Sequence, residues 1–361
     1  MRRILVLGGL LLALAPAPAA DAWWKIKGKG WGHGVGLSQW GAHGYAQHGW
    51  GWQRILHHYY ANVNIRETGG HKIKVLLQSG QGLVAFDEAK HACGVDLRVD
   101  RRFKFDKVGG DVILRGPEGH RRANCGGQGT ARGPGGVHVI DKGRYRGEIH
   151  ANAEPSGLAV INHVALEDYI QGVVPNEVPY EWPADALRAQ AVAARSYVLA
   201  TRGSGMFDVY DDTRSQVYGG KGTERASTNA AVAATDHKVV KHSGNIATTY
   251  YFSTSGGRTE NSEYGFAGGS SRPWLKSVID RYDDPSPHHE WTVSFSEDQM
   301  RSKLSGLFSG RLVGINALKR GRSPRIVNVR INGSSGDSTV SGATLQSRLG
   351  TRSTWMFFDR R

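Results

Sequence analysis

The stretch Val174-Pro-Asn-Glu-Val-Pro-Tyr-Glu-Trp-Pro-Ala-Asp-Ala-Leu-Arg-Ala-Gln-Ala-Val-Ala-Ala-Arg-Ser-Tyr197 holds the residue types needed to break a glycosidic bond. Glu177 lies between Pro175 and Pro179. Proline disfavours a helix interior, for itself and for the residue before it, so the pattern predicts a rigid turn that fixes the acid ahead of a helix. In an apolar cleft a carboxyl holds its proton to higher pH. Such an acid can protonate a leaving oxygen, and the resulting carboxylate can take a proton from an attacking hydroxyl. Glu181 and Asp185 are close in sequence and keep a two-carboxylate hydrolase open. Glu177 on an ordinary exposed surface is the plainer alternative, because most glutamates are exposed.

Residues 183–201 read as a helix, with Pro183 in the first turn and Gly203 past the end. Leu187, Ala191, Ala194 and Val198 form its narrow apolar stripe. Arg188 and Arg195 are seven residues apart on one face, and Gln190 lies between them. Guanidinium forks there suit a substrate carboxylate or acetamido oxygen, and equally a solvated basic stripe. A second segment, Tyr250-Tyr-Phe-Ser-Thr-Ser-Gly-Gly-Arg-Thr-Glu260, sets Tyr251, Ser253 and Ser255 beside Gly256 and Gly257, which suits close approach of a sugar to backbone. Neither serine sits in a nucleophile elbow. A third segment, Gly28-Lys-Gly-Trp-Gly-His-Gly-Val-Gly-Leu-Ser-Gln-Trp-Gly-Ala-His-Gly-Tyr45, lacks the Gly-Lys-Ser/Thr of a phosphate loop. His33, Ser38 and Gln39 are candidate sugar ligands, with Trp31 or Trp40 as a stacking face. His33 bracing tight glycine turns is the alternative.

These three segments resemble the signatures of the stage II sporulation protein D (SpoIID/LytB, amidase-enhancer) family, whose better-understood members are peptidoglycan lytic transglycosylases. The resemblance implies that Glu177 acts first as acid and then as base, cutting the bond between N-acetylmuramic acid and N-acetylglucosamine to leave a 1,6-anhydro end. It places Arg188, Gln190, Arg195, Gln216, Tyr251, Ser253, Ser255, Gly256 and Gly257 with His33, Ser38 and Gln39 along a glycan-binding cleft. Some relatives carry Cys and His ligands for zinc where this chain has Phe252, Ser253, Thr254 and Ser255, so neither zinc nor another cofactor is implied. The amidase-enhancer name implies a rival role: a non-catalytic protein that binds wall glycan and stimulates an N-acetylmuramoyl-L-alanine amidase. In typical relatives the Gly-Trp-Gly-His-Gly-Val-Gly piece lies at the C-terminal end, after a piece resembling 341–355; here it comes first. The order resembles a circular permutation, which predicts that Trp23–Lys27 and Trp355–Phe358 are neighbouring strands.

The elements that must position these residues read as one α+β body, a β-rich framework with a few packed helices around a cleft. Residues 23–66 form a Gly/Trp/His-rich segment closing in a helix at Ile55–Tyr60. Short strands over about 70–165 follow, among them Lys72–Leu77, Gly110–Arg115, Gly136–Ile140 and Leu158–Val164. The catalytic part covers about 166–361, with a helix over 224–235, a hairpin turning at Ser243-Gly244 whose second strand runs over 245–252, and a helix over 297–307. Cys93 and Cys125 are the two cysteines, predicted to pair as a disulfide. Residues 1–22, with Met1-Arg-Arg, an apolar run Ile4–Leu14 and small residues to Ala22, read as a signal peptide cleaved near Ala19–Ala22. That predicts export to the cell wall or periplasm without a stable membrane span. The net charge of +14 favours polyanionic surfaces. No nucleic-acid motif accompanies the charge, so glycan strands and a wall amidase are the expected partners.

Overall fold

Ile73, Val75 and Leu77 alternate with more exposed neighbours, so one face of their strand is buried. The same period runs through Phe103–Val108 and Glu148–Glu154. The computed structural model describes residues 23–361, and the expected signal peptide lies outside the described residues. The alternating strands build two sheets. In the larger, Gly157–Ala165 lies between Lys72–Gln81 and Glu148–Glu154, and the sheet continues through Gln128–Arg132 to His91–Ala92 and Val95–Asp96. The smaller sheet is centred on Leu83–Asp87 and Phe103–Val108. A shared core including Phe86, Phe105, Val112 and Val160 joins them. Cys93 and Cys125 form the expected disulfide, with Cα atoms 5.4 Å apart, beyond a strand end of each sheet.

Five helices cover the part nearest the acid: α1 (Gln39–Gln47), α2 (Trp52–Tyr59), α3 (Leu166–Glu177), α4 (Ala184–Thr201) and α5 (Ala226–Ala234). Helix α4 is sandwiched. Its stripe Leu187, Ala191, Ala194 and Val198 joins the sheet core, while Ala189, Val192 and Ala193 join a second core with Leu37, Ala42, Ile55 and Tyr59. Small side chains on both faces let two layers close on one helix.

A third core lies in a separate lobe, where Trp23–Lys29 runs between Glu290–Ser296 and Met356–Arg360. Ile26 faces Phe358, and Trp23 and Arg361 exchange backbone hydrogen bonds at 3.0 and 2.9 Å. The two expected neighbouring strands are therefore paired. Charge, scattered along the sequence, gathers here: residues 23–29 and 290–361 carry fifteen Lys and Arg against five Asp and Glu.

Three local expectations need correction. Glu177 does not sit in a turn ahead of a helix; it is the last residue of α3, which runs through Pro175. The missing N–H of Pro175 leaves one α3 carbonyl without its helical donor, and the helix ends two residues later. The end is then secured from outside, by Asn176 Nδ2 and Gly219 N donating to the Gly172 carbonyl at 2.8 and 3.0 Å. The glycine-rich 39–47 segment forms helix α1, so the alternative of tight glycine turns does not hold there. Gly41 has no room for a side chain, since a Cβ there would collide with the Tyr59 hydroxyl and the Asp280 carboxyl. The second strand of the hairpin is broken between Ile246 and Tyr251. There the backbone turns to other partners, as in Trp274 Nε1 donating to the Thr248 carbonyl at 3.0 Å.

Arg195 does not face a cleft. It is fully buried and holds Glu167 with two bonds, Nε–Oε1 at 2.9 Å and Nη2–Oε2 at 2.6 Å, while Nη1 donates to the Lys238 carbonyl at 3.0 Å. It ties α4 to the start of α3 and to the strand Lys238–His242. Removing one partner of a buried, bidentate pair strands the other charge, at about 3 kcal/mol or more. Arg195→Ala is expected to lower unfolding stability by about that much in urea titrations, far beyond the effect of an exposed arginine; a change below about 0.5 kcal/mol would contradict the assignment.

Candidate active site

Glu177 reaches into a pocket of about 300 Å³ lined by His33, Tyr197, Thr213, Ser215, Gln216, Val217, Tyr250, Tyr251 and Phe266. Burial pushes its carboxyl above the usual carboxylate range. Three donors oppose this in part. Val217 N donates to Oε1 at 3.2 Å, and the Tyr251 and Gln39 side chains lie close enough to favour the charged form. Each donor comes from a different part of the chain, and each is neutral.

Tyr251 is aimed by a relay. Tyr169 donates its hydroxyl proton to Gln216 Oε1 at 3.1 Å. Gln216 Nε2 then donates to the Tyr251 oxygen at 2.8 Å and to the Ala194 carbonyl at 3.3 Å. Because the Tyr251 oxygen accepts from Gln216, its own proton is free for Glu177. Gln216 is itself buried and reaches the carboxyl through Tyr251.

His33 forms the opposite wall, within 6 Å of the Tyr250, Phe252 and Phe266 rings. Val35 N donates to its Nδ1 at 3.0 Å, which places the ring proton on Nε2. Burial, and then the nearby Arg325 charge, depress its pKa to about 4. His33 is therefore a neutral wall near neutral pH. Arg325 is buried behind the loop, with Nη2 donating to the Ser255 carbonyl at 3.1 Å.

The pocket is assembled by backbone pairing. Leu37 and Ser38 pair in parallel with Tyr251 and Phe252, Trp31 bridges Thr254, and Val35 bridges Glu260. Gly36 is required at this seam: its φ is 80°, and a Cβ would strike the Tyr250 carbonyl oxygen. All three sequence segments thus meet at Glu177.

The remaining candidates are elsewhere or serve the scaffold. Ser38 caps α1 and also accepts from Ser255 N at 3.2 Å. Ser255 and Gly256 donate to the buried Asp283 carboxylate, from Oγ at 2.7 Å and N at 2.6 Å, and Gly257 N donates to Ser255 Oγ at 3.0 Å. His289 Nδ1 lies 2.9 Å from the other Asp283 oxygen. Ser253 lies 3.2 Å from the Thr254 hydroxyl. Arg188 pairs with Asp185 at 3.2 Å and does not line the pocket, and Asp185 also accepts from Trp52 N at 3.3 Å. Glu181 is exposed. Gln190 is buried, and its amide has no hydrogen-bond partner among the described residues. Sequence reasoning did not single out Tyr197, Thr213, Ser215, Val217 and Phe266. Tyr197 had a usable signal, since it follows Gln190 by seven residues on one helix; the 213–217 loop has no periodicity.

Comparison with known proteins places part of the chain within a known family's likeness. Residues 154–242, which include α3, Glu177 and α4, match the SpoIID family, described as Stage II sporulation protein. The chain is 35% identical over 198 residues to the amidase enhancer of Bacillus subtilis, a match covering 51% of this chain and 27% of that protein. It is 32% identical over 213 residues to stage II sporulation protein D of Bacillus amyloliquefaciens, covering 54% of this chain and 60% of that protein. An uncharacterised protein of Brachyspira hyodysenteriae is 31% identical over 198 residues, covering 53% of each chain. The family resemblance is borne out over about half of the chain. These matches span between about a quarter and three fifths of the relatives' lengths.

Because Tyr251 donates to the charged form of Glu177, Tyr251→Phe should raise the Glu177 pKa further. Carboxyl ¹³C NMR titration, with Glu177→Gln identifying the resonance, should show the midpoint moving to higher pH; an unchanged or lower midpoint would remove Tyr251 from this role.

Proposed function

We propose that this protein is a peptidoglycan lytic transglycosylase acting on the bond between N-acetylmuramic acid and N-acetylglucosamine. The observation that carries the reading is the single desolvated acid: among the described residues lining the pocket, Glu177 supplies the one carboxyl. Hydrolysing glycosidases use two carboxylates, one for the leaving group and one for water or the sugar carbon. A reaction that closes on the substrate's own hydroxyl needs one.

Protonated Glu177 gives its proton to the glycosidic oxygen as the C1–O bond of the muramoyl sugar breaks. The carboxylate left behind then takes the proton of the C6 hydroxyl while O6 bonds to C1. The product is a 1,6-anhydro ring, no water is consumed, and Glu177 ends protonated as it began. Burial favours the acid in the first half-reaction. Val217 N, Tyr251 and Gln39 hold the carboxylate in the second. No Lys or Arg is among the lining residues, so no adjacent cation strips the acid of its proton.

A cell-wall role is supported by the SpoIID match and by the names of the relatives. Export through residues 1–22, and a circularly permuted order of the family's segments, belong to the same proposal. The pairing of Trp23–Lys29 with Met356–Arg360 supports the permuted order. The name of the Bacillus subtilis relative favours a second reading, in which the same pocket binds glycan uncut and the protein stimulates a wall amidase.

Purified glycan strands, with and without stem peptides, should yield anhydro-muramoyl ends by mass spectrometry when incubated with the protein. Glu177→Gln should reduce their rate of formation by about a hundredfold or more. No cleavage by the parent, with glycan binding intact, would overturn the catalytic reading in favour of amidase stimulation.

A further inference from the structure

Trp40 is unusual among the tryptophans of the second helical layer. Trp50 and Trp52 pack against the core of that layer, whereas Trp40 joins none of the three hydrophobic cores. Its ring contacts are His43, at 5.5 Å between centroids, and Trp182, at 5.1 Å. His43 in turn lies 4.7 Å from Trp182, tilted by 36°. All three rings are partly exposed, and Trp182 rests its other contacts on the sheet core. An indole kept out of a core and propped by two other rings needs a different explanation from packing.

The placement of the trio supplies one. Gln39 lies beside the Glu177 carboxyl, and Trp40 follows it in the first turn of α1. His43 is four residues after Gln39, so it shares that face of the helix. Trp40 is fixed there by its backbone N–H, which donates to the Ser253 carbonyl at 3.0 Å, two residues from Tyr251. From the other side, Trp182 follows Glu177 by five residues, held by its N–H bond to the Pro179 carbonyl at 3.2 Å. Both routes lead from the acid to the same three rings, yet none of them lines the pocket. Burial lowers the His43 pKa, so the ring surface is uncharged near neutral pH.

We propose that Trp40, His43 and Trp182 form a stacking shelf for a sugar ring next to the pocket, so that a glycan strand crosses Glu177 with one sugar in the pocket and its neighbour on the shelf. The inference rests on the glycan-cleaving reading and adds where the second sugar sits. A pyranose suits such a surface because its axial C–H faces are apolar while its rim hydroxyls stay in water. Aromatic rings combine large contact area with little entropy to lose on binding.

The test uses the full protein carrying Glu177→Gln, so that ligand is bound without turnover, and measures calorimetric affinity for N-acetylmuramic acid alone and for purified muramoyl–glucosaminyl hexasaccharides. Adding Trp40→Ala or Trp182→Ala should weaken hexasaccharide binding by about tenfold, the equivalent of one lost stacking contact. Monosaccharide binding should stay unchanged, and Trp40→Phe should recover part of the loss. Thermal melts identify any variant that misfolds, in which case the Phe variant carries the comparison. Equal losses for both lengths, or no loss for either, would overturn the shelf. Cleavage by the otherwise native protein, measured in parallel, separates the two ideas. Cleavage without any effect of Trp40 or Trp182 removes the shelf alone. A tryptophan-dependent length preference without cleavage keeps the shelf and removes the lytic reading. No binding of either ligand overturns both.

Discussion

The desolvation of one carboxyl governs the arrangement around Glu177. A buried acid resists ionisation, and the surrounding donors decide how far. Here they are a backbone N–H, a phenol and an amide, all neutral. The strong cations nearby in sequence or space are occupied. Arg195 is spent on Glu167, Arg188 pairs with Asp185, and Arg325 is enclosed behind the glycine-rich loop. Were any of these guanidinium groups free in the pocket, Glu177 would be an ordinary carboxylate. The ion pairs that seem purely structural therefore protect the chemistry.

Holding those donors in place demands contacts between distant parts of the chain. Glu177 ends α3, Gln39 begins α1, and Tyr251 lies on a two-residue strand paired with Leu37 and Ser38. Two-residue strands contribute little on their own. The bridges Trp31–Thr254 and Val35–Glu260 tie the chain before one strand to the chain after the other. Below them Asp283 gathers Ser255, Gly256 and His289. Asp280, buried nearby, has its carboxyl raised to about 7 by burial first and by Asp283 second, so this end of the site carries less negative charge than its sequence implies. Helix α4 runs beneath, close-packed on both faces because alanine recurs there.

Much of this was legible from residue order. The 184–201 helix, the paired cysteines, most long strands and the convergence on Glu177 follow from periodicity, spacing and resemblance. The errors share a cause. Proline and glycine have local preferences that tertiary structure overrides: α3 ends two residues after Pro175, and position 41 of α1 is glycine because Tyr59 and Asp280 occupy the space a side chain would need. Arg195 was read as a substrate ligand because its partner, Glu167, lies 28 residues away on another helix. Ser255, Gly256 and Gly257 face Asp283 for the same reason: no local pattern announces a buried acid 26 to 28 residues downstream. Tertiary partners at long separation leave no periodic trace.

The central claim is that one acid serves both half-reactions and that the attacking group belongs to the sugar. Digestion of purified glycan strands in H₂¹⁸O tests it directly, because only hydrolysis brings a solvent oxygen to C1. The account predicts cleaved ends with no ¹⁸O and with the mass of the anhydro ring. Incorporation of one ¹⁸O at each new reducing end would contradict it and require a second catalytic group that the pocket around Glu177 does not display.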